Sequence, residues 1–210
     1  RRQRQMCIRD RSADSETLHW MKRKAAERNC AIAGSVAVCE NGNYYNRFYF
    51  VHPDGAVQHY DKKHLFTFGG EHKRFTAGTE RVVVNFRGVR ILLEVCYDLR
   101  FPVWSRNLGD YDMILYVASW PTPRVDAWSA LLRARAIENQ CYVAGVNRMG
   151  TDPTCEYSGG SAIIDPYGKT IAECPWSRES AVSADIDMEA LQAFRKKFPV
   201  LDDADPFTLI

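Results

Sequence analysis

The chain has 210 residues, 46% of them hydrophobic, which is enough for one sizeable domain. Its formal net charge is only +2, and no stretch is typical of a signal peptide or long and apolar enough to span a membrane. We therefore expect a soluble protein. Its seven cysteines form no C-x-x-C pair and show no regular spacing, which favours a reducing cytoplasm.

The first segment of the chain is interpreted as non-native. Residues 1–11 resemble the in-frame translation of a transposon-end adapter used in sequencing libraries, and such scars are excluded from fold reasoning. The alternative is a natural basic arm that binds nucleic acid or a membrane surface. Without the five arginines and one aspartate of this segment the net charge changes from +2 to −2, so we expect no nucleic-acid or membrane partner.

Hydrophobic periodicity then predicts strands alternating with helices. A helix is expected over 14–29, with Asp14 or Ser15 as its cap and Leu18, Met21 and Ala25 on one face. The predicted strands cover 31–38, 44–51, 56–61, 81–86, 89–96, 112–119 and 141–147, with weaker strand-like segments at 160–164, 169–174 and 180–186. Two further helices are expected over 124–139 and 187–197. Helices on both sides of hairpins and β-α-β units indicate an α/β fold of stacked layers.

Cys96 is the first candidate for chemistry. It stands where the apolar run from Val89 to Val95 gives way to polar residues and then to Pro102. Such a cysteine projects from the end of a buried strand, where α/β enzymes usually carry functional groups. An ordinary core cysteine is the alternative. A thiol of normal pKa is mostly protonated at neutral pH, so a nucleophilic Cys96 would need a cation or a base beside it.

Three sequence blocks carry further candidates. They are Tyr60-Asp61-Lys62-Lys63-His64-Leu65-Phe66 with Glu71 and Gly78 beyond it, Cys96-Tyr97-Asp98-Leu99-Arg100-Phe101-Pro102, and Ala118-Ser119-Trp120-Pro121 with 133–140 and 143–148 after it. In this order the blocks resemble the carbon–nitrogen hydrolase (nitrilase) superfamily, and within it the omega-amidases, which deamidate 2-oxoglutaramate. The resemblance implies hydrolysis of a small carboxamide to a carboxylate and ammonia through a cysteine thioester, without a cofactor or a metal.

The resemblance also implies catalytic roles. Cys96 matches the nucleophile, Lys62 the lysine of the triad, and Glu71 a second glutamate that supports the lysine and orients substrate. The general-base glutamate of the family lies in an earlier Pro-Glu-x-Phe-like motif, which has no match before Lys62. The candidates that remain are Glu16, Glu27 and Glu40, none of which follows an apolar strand and a proline. We therefore expect the chain as printed to be inactive, and a non-catalytic scaffold is one alternative.

Substrate contacts are expected from residues in or near the last two blocks. Trp120 matches the substrate pocket, the backbone N–H of Tyr97 could stabilise an oxyanion, and Arg100 or Arg106 could pair with a substrate carboxylate. His64 has a structural role in the family. A Cys–His hydrolase or transferase that uses Cys96 and His64 is the alternative.

The resemblance finally implies an architecture, a four-layer α-β-β-α sandwich of two mixed sheets. The domain would cover 12–210 and lack a first β-α-β unit, which would carry the missing base. Helix 124–139 is more apolar than one sheet contact requires, and this region lies at a dimer interface in the family. The expected partners are therefore a small-molecule amide and a second copy of the chain, with core burial within one subunit as the alternative. The sequence has neither a glycine-rich phosphate loop nor a metal-ligand cluster.

Overall fold

The structure, a computed structural model, describes residues 15–208. The interpretation of residues 1–11 as an adapter concerns residues outside this range. Helix α1 (Glu16–Arg28) begins after Ser15, whose side chain accepts the Leu18 N–H at 3.3 Å. Its buried residues include Met21 and Ala25, so the predicted cap and the predicted apolar face are both confirmed.

Two sheets form the centre of the fold. The smaller is an antiparallel meander of β1 (Ile32–Glu40), β2 (Asn43–Val51) and β3 (Val57–Asp61). The larger contains β4 (Val83–Phe86), β5 (Val89–Val95), β6 (Met113–Ala118), β7 (Tyr142–Asn147), β10 (Ala162–Ile164) and β11 (Thr170–Glu173). Its strand order is β11-β10-β7-β6-β5-β4; the pairs β5–β6 and β6–β7 are parallel and the others antiparallel.

Three helices follow β5. They are the short α2 (Pro102–Ser105), then α3 (Val125–Glu138) between β6 and β7, and α4 (Met188–Lys197) near the end of the described chain. Within residues 15–208, no helix combines the length and apolar character that crossing a membrane requires.

Three apolar clusters separate the layers. On one outer side, α1 packs on the smaller sheet; on the other, α3 packs on the larger sheet through Trp128, Leu132 and Ala136. The space between the sheets is filled by aromatic and aliphatic side chains, namely Phe48, Phe50, Tyr60, Val84, Ile91, Leu93, Val95 and Trp104. Strand β5 packs side chains on both of its faces, with Leu92 towards α3 and Ile91 and Leu93 between the sheets, which explains why its central residues are apolar. The α-β-β-α layering predicted from the resemblance is confirmed.

Two elements differ from the sequence prediction. The strand expected over 180–186 is wrong, because this segment is irregular and mostly exposed and pairs with no strand. A hairpin of β8 (Met149–Thr151) and β9 (Glu156–Ser158) was not predicted. Each of its strands has three residues, too few to show a period of two, and its turn is held by the Asp152 side chain, which accepts two backbone N–H groups.

Candidate active site

Cys96 lies at the carboxyl end of β5, where the strand turns into the 3-10 segment Cys96–Arg100. Its φ of 52° is in the left-handed region, which costs a non-glycine residue on the order of 1 kcal/mol or more. Backbone strain at a strand end is often associated with a functional side chain. The thiol is partly exposed, and Sγ lies 4.0 Å from the carbonyl oxygen of Ser119, which directly follows β6.

The site gathers at the carboxyl ends of the parallel strands. Ser119 and Trp120 follow β6, and Asn147 ends β7. The Asn147 side chain accepts the Trp120 N–H at 2.7 Å and donates to the Trp120 carbonyl at 3.0 Å. Ligands of open α/β sheets bind at this edge, so the sequence-based placement of Cys96 is consistent with the general rule.

Asp98 joins the cysteine turn to the segment that carries the lysine. This carboxylate is fully buried and accepts the Val95 N–H at 3.0 Å and the Tyr60 hydroxyl at 2.8 Å. It also accepts the backbone N–H of His64 at 2.9 Å and lies 2.8 Å from His64 Nδ1. Four contacts to one carboxylate therefore fix the turn of Cys96 relative to the end of β3.

The His64 ring is held against Phe101 and Asp98, not against Cys96. It stacks on Phe101 with ring centroids 3.8 Å apart, and its Nδ1 faces Asp98. None of the contacts found for His64 among residues 15–208 is with Cys96. This geometry supports the structural role that the family resemblance implied and gives no support to the Cys–His alternative.

Lys62 and Glu71 form a buried ion pair. Lys62 is 3% exposed, and its Nζ donates to Glu71 Oε2 at 2.6 Å. The same oxygen accepts the Phe66 N–H at 2.6 Å, and Glu71 Oε1 accepts from Asn46 Nδ2 at 3.2 Å. The Asn46 carbonyl also accepts the Lys62 N–H at 3.0 Å. Asn46 thus holds both members of the pair, and nothing in the local pattern of β2 indicated this role.

Gly78, which helped to place Glu71 in the sequence, closes the same segment. Its N–H donates to the Lys62 carbonyl at 3.0 Å. A Cβ at this position would lie 2.0 Å from the carbonyl oxygen of Asp61, so only glycine fits beside the strand end that carries Lys62.

The electrostatics link Lys62 to the thiol. Burial raises the pKa of Cys96, the positive charge of Lys62 opposes this effect, and the negative charge of Glu71 adds to it. The resting thiol is therefore protonated at neutral pH. Nucleophilic attack through Cys96 requires a base that takes the proton.

The remaining glutamates expected as candidates are placed elsewhere. Glu16 and Glu27 lie on α1, across the smaller sheet from the larger one, and Glu27 pairs with Lys24 at 2.6 Å. Glu40 pairs with the buried Arg47 at 2.9 Å. Among residues 15–208, Glu71 is the only glutamate bonded to Lys62.

The predicted substrate residues are partly brought together. Trp120 is 3% exposed, its Nε1 donates to the Arg124 carbonyl at 2.7 Å, and the guanidinium of the exposed Arg100 lies 4.9 Å from its ring centroid. Tyr97 packs its ring edge against Phe66 with centroids 5.0 Å apart. Arg106, the other arginine considered, donates instead to the Glu138 carbonyl at 2.6 Å.

Two further observations concern ligands. Within the described range, no three His, Cys, Asp or Glu side chains are grouped as a metal site would need. A shallow cleft of about 230 Å³ lies between the β1–β2 turn and the segment after Glu71, lined by Gly42, Asn43, Tyr44, His72, Lys73, Arg74, Phe75 and Thr76. Cys96 does not line this cleft, so the cleft has no part in the chemistry considered for Cys96.

Comparison with known proteins identifies the family of the chain. The family model of carbon–nitrogen hydrolases matches residues 4–196. The chain is 52% identical over 198 residues to the omega-amidase YafV of Escherichia coli (strain K12), covering 94% of this chain and 77% of the relative. It is 41% identical over 197 residues to the 2-oxoglutaramate amidase of Bacillus subtilis (strain 168), covering 92% of this chain and 74% of the relative.

A solved structure shows the same fold. XC1258 from Xanthomonas campestris, described as a CN-hydrolase superfamily protein with an arsenic adduct in the active site, matches with a TM-score of 0.94 at 44% identity, over 98% of this chain and 80% of that one. The resemblance to omega-amidases and the activity class, hydrolysis of amide C–N bonds, are both confirmed. The chain belongs to the carbon–nitrogen hydrolase family.

Proposed function

We propose that the Cys96 site hydrolyses 2-oxoglutaramate, or a closely similar small carboxamide, through a thioester on Cys96. The observation that carries the proposal is the buried Lys62–Glu71 pair, whose charges act on a thiol at a strained strand end. The relatives named as omega-amidase and 2-oxoglutaramate amidase support this choice of substrate.

The reaction proceeds in two halves. Cys96 Sγ bonds to the amide carbon as its proton passes to the base, and the Lys62 ammonium and the Tyr97 N–H stabilise the oxyanion, a contribution of about 3–4 kcal/mol for one good donor. The C–N bond then breaks, and the nitrogen leaves as ammonia with the proton that the base returns. Water, activated by the same base, attacks the thioester carbon, the C–S bond breaks, and the carboxylate and the free thiol are released.

The base in this scheme is the family's glutamate, which has no match in the printed sequence. Glu71 is bonded to Lys62, Asn46 and Phe66, so its role here is to hold the lysine in place. We therefore propose that the chain as printed has little activity by itself.

The test measures ammonia release from 2-oxoglutaramate by this chain joined to the glutamate-bearing N-terminal strand of a 2-oxoglutaramate amidase. Cys96→Ala should abolish release and leave the fold intact, because it removes the nucleophile and little volume. Cys39→Ala, which removes a thiol from β1, is the matched control and should keep full activity. Undiminished ammonia release by Cys96→Ala would contradict the proposal. No ammonia release by the parent protein would favour the non-catalytic scaffold.

We also propose that the protein acts in the cytoplasm as a homodimer. Most of the apolar face of α3 is used within the subunit, since Trp128, Leu132 and Ala136 are buried. Ile137, however, is 53% exposed. Its side chain lies against Gly168, where a Cβ would be 2.6 Å from Ile137 Cδ1, and next to the exposed Tyr167. Sedimentation of the parent protein and of Ile137→Asp tests this interface; a parent protein that sediments as a monomer contradicts it.

A further inference from the structure

A closed ring of side-chain contacts and chain neighbours passes through Cys96. Cys96 Sγ faces the Ser119 carbonyl, the next residue, Trp120, donates to the Arg124 carbonyl, and the Arg124 guanidinium lies 5.4 Å from the Phe66 ring centroid. Phe66 packs on Tyr97, which directly follows Cys96 and so completes the ring. We call these six residues the nucleophile ring: Cys96, Ser119, Trp120, Arg124, Phe66 and Tyr97.

Arg124 is the only cationic member of this ring. Its main chain is fixed by Trp120, and its side chain is laid across Phe66, whose own N–H is bonded to Glu71. Phe66 thus contacts Arg124 through its ring and Glu71 through its backbone N–H. Such stacking on an aromatic ring orients the planar fork and leaves its N–H donors available.

The donors of Arg124 have no carboxylate partner among residues 15–208. Several other arginines differ in this respect: Arg47, Arg81, Arg90, Arg135 and Arg195 each form an ion pair with an aspartate or a glutamate. Arg124 is half-buried and is linked to Cys96 through the other members of the nucleophile ring. A guanidinium that is positioned but not neutralised matches a ligand that brings its own negative charge.

We propose that Arg124 binds the carboxylate of the substrate and so selects amides that carry an acid group at the far end of the molecule. This inference rests on the proposed function and names its substrate class. The fork of Arg124 accepts two oxygens in one plane, either both carboxylate oxygens or one of them with a neighbouring 2-oxo group. Arg100, stacked on Trp120, adds a second positive charge to the same wall of the site.

The experiment measures binding, so that it does not depend on turnover. In a Cys96→Ala background, calorimetry gives the affinities for 2-oxoglutaramate, for glutaramate, which lacks only the 2-oxo group, and for pentanamide, which lacks the carboxylate as well. Arg124→Met should weaken binding of both acids about 10- to 100-fold, the value of a charge-assisted hydrogen bond, and leave pentanamide unchanged. Arg124→Lys keeps the charge and loses the fork, so its affinity for the two acids should lie between those of the parent and of Arg124→Met.

Arg87→Met is the matched control. The Arg87 guanidinium also lies over a phenylalanine ring, 5.1 Å from the centroid of Phe86, but it is at the opposite end of β5, about 20 Å from Cys96 at the rise of a strand. This variant should bind all three amides as the parent does.

Three outcomes overturn the inference: equal weakening of all three ligands by Arg124→Met, unchanged binding of the two acids, or no binding of either acid to the parent. The first outcome means that Arg124 only supports the fold of the ring. Failure of the proposed function looks different, because it shows as ammonia release that is absent or independent of Cys96 while the binding series still discriminates by charge.

Discussion

The two charges of the Lys62–Glu71 pair act on Cys96 in opposite directions. Lys62 lowers the pKa of the thiol and Glu71 raises it, with burial as the largest cause of the raised value. The pair is nearly neutral as a unit, so it does not fully ionise the resting thiol. This balance explains why the thiol still depends on a base.

Replacing one member of the pair should therefore shift the pKa of the Cys96 thiol, in opposite directions for the two members. Glu71→Gln leaves Lys62 uncompensated and should lower the pKa of Cys96, whereas Lys62→Met should raise it. The pH dependence of Cys96 alkylation by iodoacetamide, followed by mass spectrometry of the Cys96 peptide, measures both shifts. Lys63→Met is the control, because Lys63 lies over the Trp104 ring and should leave the profile unchanged. Shifts of the same sign in the two variants would show that their effect is not electrostatic.

Glu94 is a second titratable residue close to Cys96 in the sequence, on the α3 side of β5. It is fully buried, and its Oε2 accepts the Ser105 hydroxyl at 2.9 Å. Burial first, and then the negative charge of Asp98, raise its pKa to about 8. The carboxyl is therefore largely neutral in the folded protein at pH 7, while in the unfolded chain it ionises near its ordinary value.

This difference predicts a loss of stability with rising pH. Below about pH 4.5 both states hold the proton, between about pH 4.5 and 8 only the folded state does, and the free energy of unfolding falls by up to about 1.4 kcal/mol per pH unit. Glu94→Gln, which resembles the protonated acid, should match the parent at pH 4.5 and exceed it in stability at pH 8. Urea unfolding at both pH values measures this, with the exposed Glu80→Gln as the control. A variant that is less stable than the parent at pH 8 contradicts the prediction.

At the scale of single residues, the sequence blocks supplied the catalytic candidates but not the residues that hold them in place. Cys96, Lys62 and Glu71 lie in recognisable runs, and the structure joins Lys62 to Glu71 and links their charges to the thiol. Asn46 and Arg124 were not predicted, because their roles come from contacts with residues more than fifteen positions away, or with a ring that β-strand periodicity does not reveal.

At the scale of elements, α3 and β7 show how tightly the larger sheet is covered. A Cβ on Gly145 of β7 would lie 2.6 Å from Leu132 and 2.8 Å from Trp128, the two residues that anchor α3. Since β7 carries Asn147 at its carboxyl end, this contact also helps to position the two hydrogen bonds between the Asn147 side chain and the Trp120 main chain.

Gly145→Ala should therefore destabilise the protein although it adds one methyl group. Overpacking of a close-packed contact costs about 1–3 kcal/mol in the free energy of unfolding. Chemical denaturation measures the loss, and Gly34→Ala, where a Cβ on β1 meets nothing within 4 Å, is the matched control. The contact is looser than described if the two substitutions have equal effects.

Elements with clear periodicity were predicted within a few residues, and failures have physical causes. Helix α3 was expected over 124–139 and covers Val125–Glu138. Within the segment 180–186, residues 182–186 alternate apolar and polar side chains as a strand does, but no neighbouring strand of the described chain offers them a partner. Alternation predicts a strand only where tertiary structure supplies the ladder.

At the scale of the whole molecule, the four layers place Cys96, Lys62 and the nucleophile ring at one edge, while Glu16, Glu27 and Glu40 lie elsewhere. In the smaller sheet, β1 is an edge strand of nine residues over the described range. Long unpaired edges of this kind favour aggregation, because their N–H and C=O groups can pair with another chain.

These two features give one prediction for residues 12–210. Compared with the same chain joined to the glutamate-bearing N-terminal strand of a relative, it should release ammonia from 2-oxoglutaramate at least about 10²-fold more slowly, because a positioned general base contributes roughly 10²–10⁴ in rate. Its soluble fraction should also be lower. Rate and soluble fraction are measured side by side on the two proteins. If both proteins are equally soluble and equally fast, a glutamate of the printed chain is the base, and Glu71, the one bonded to Lys62, is then the residue to replace first.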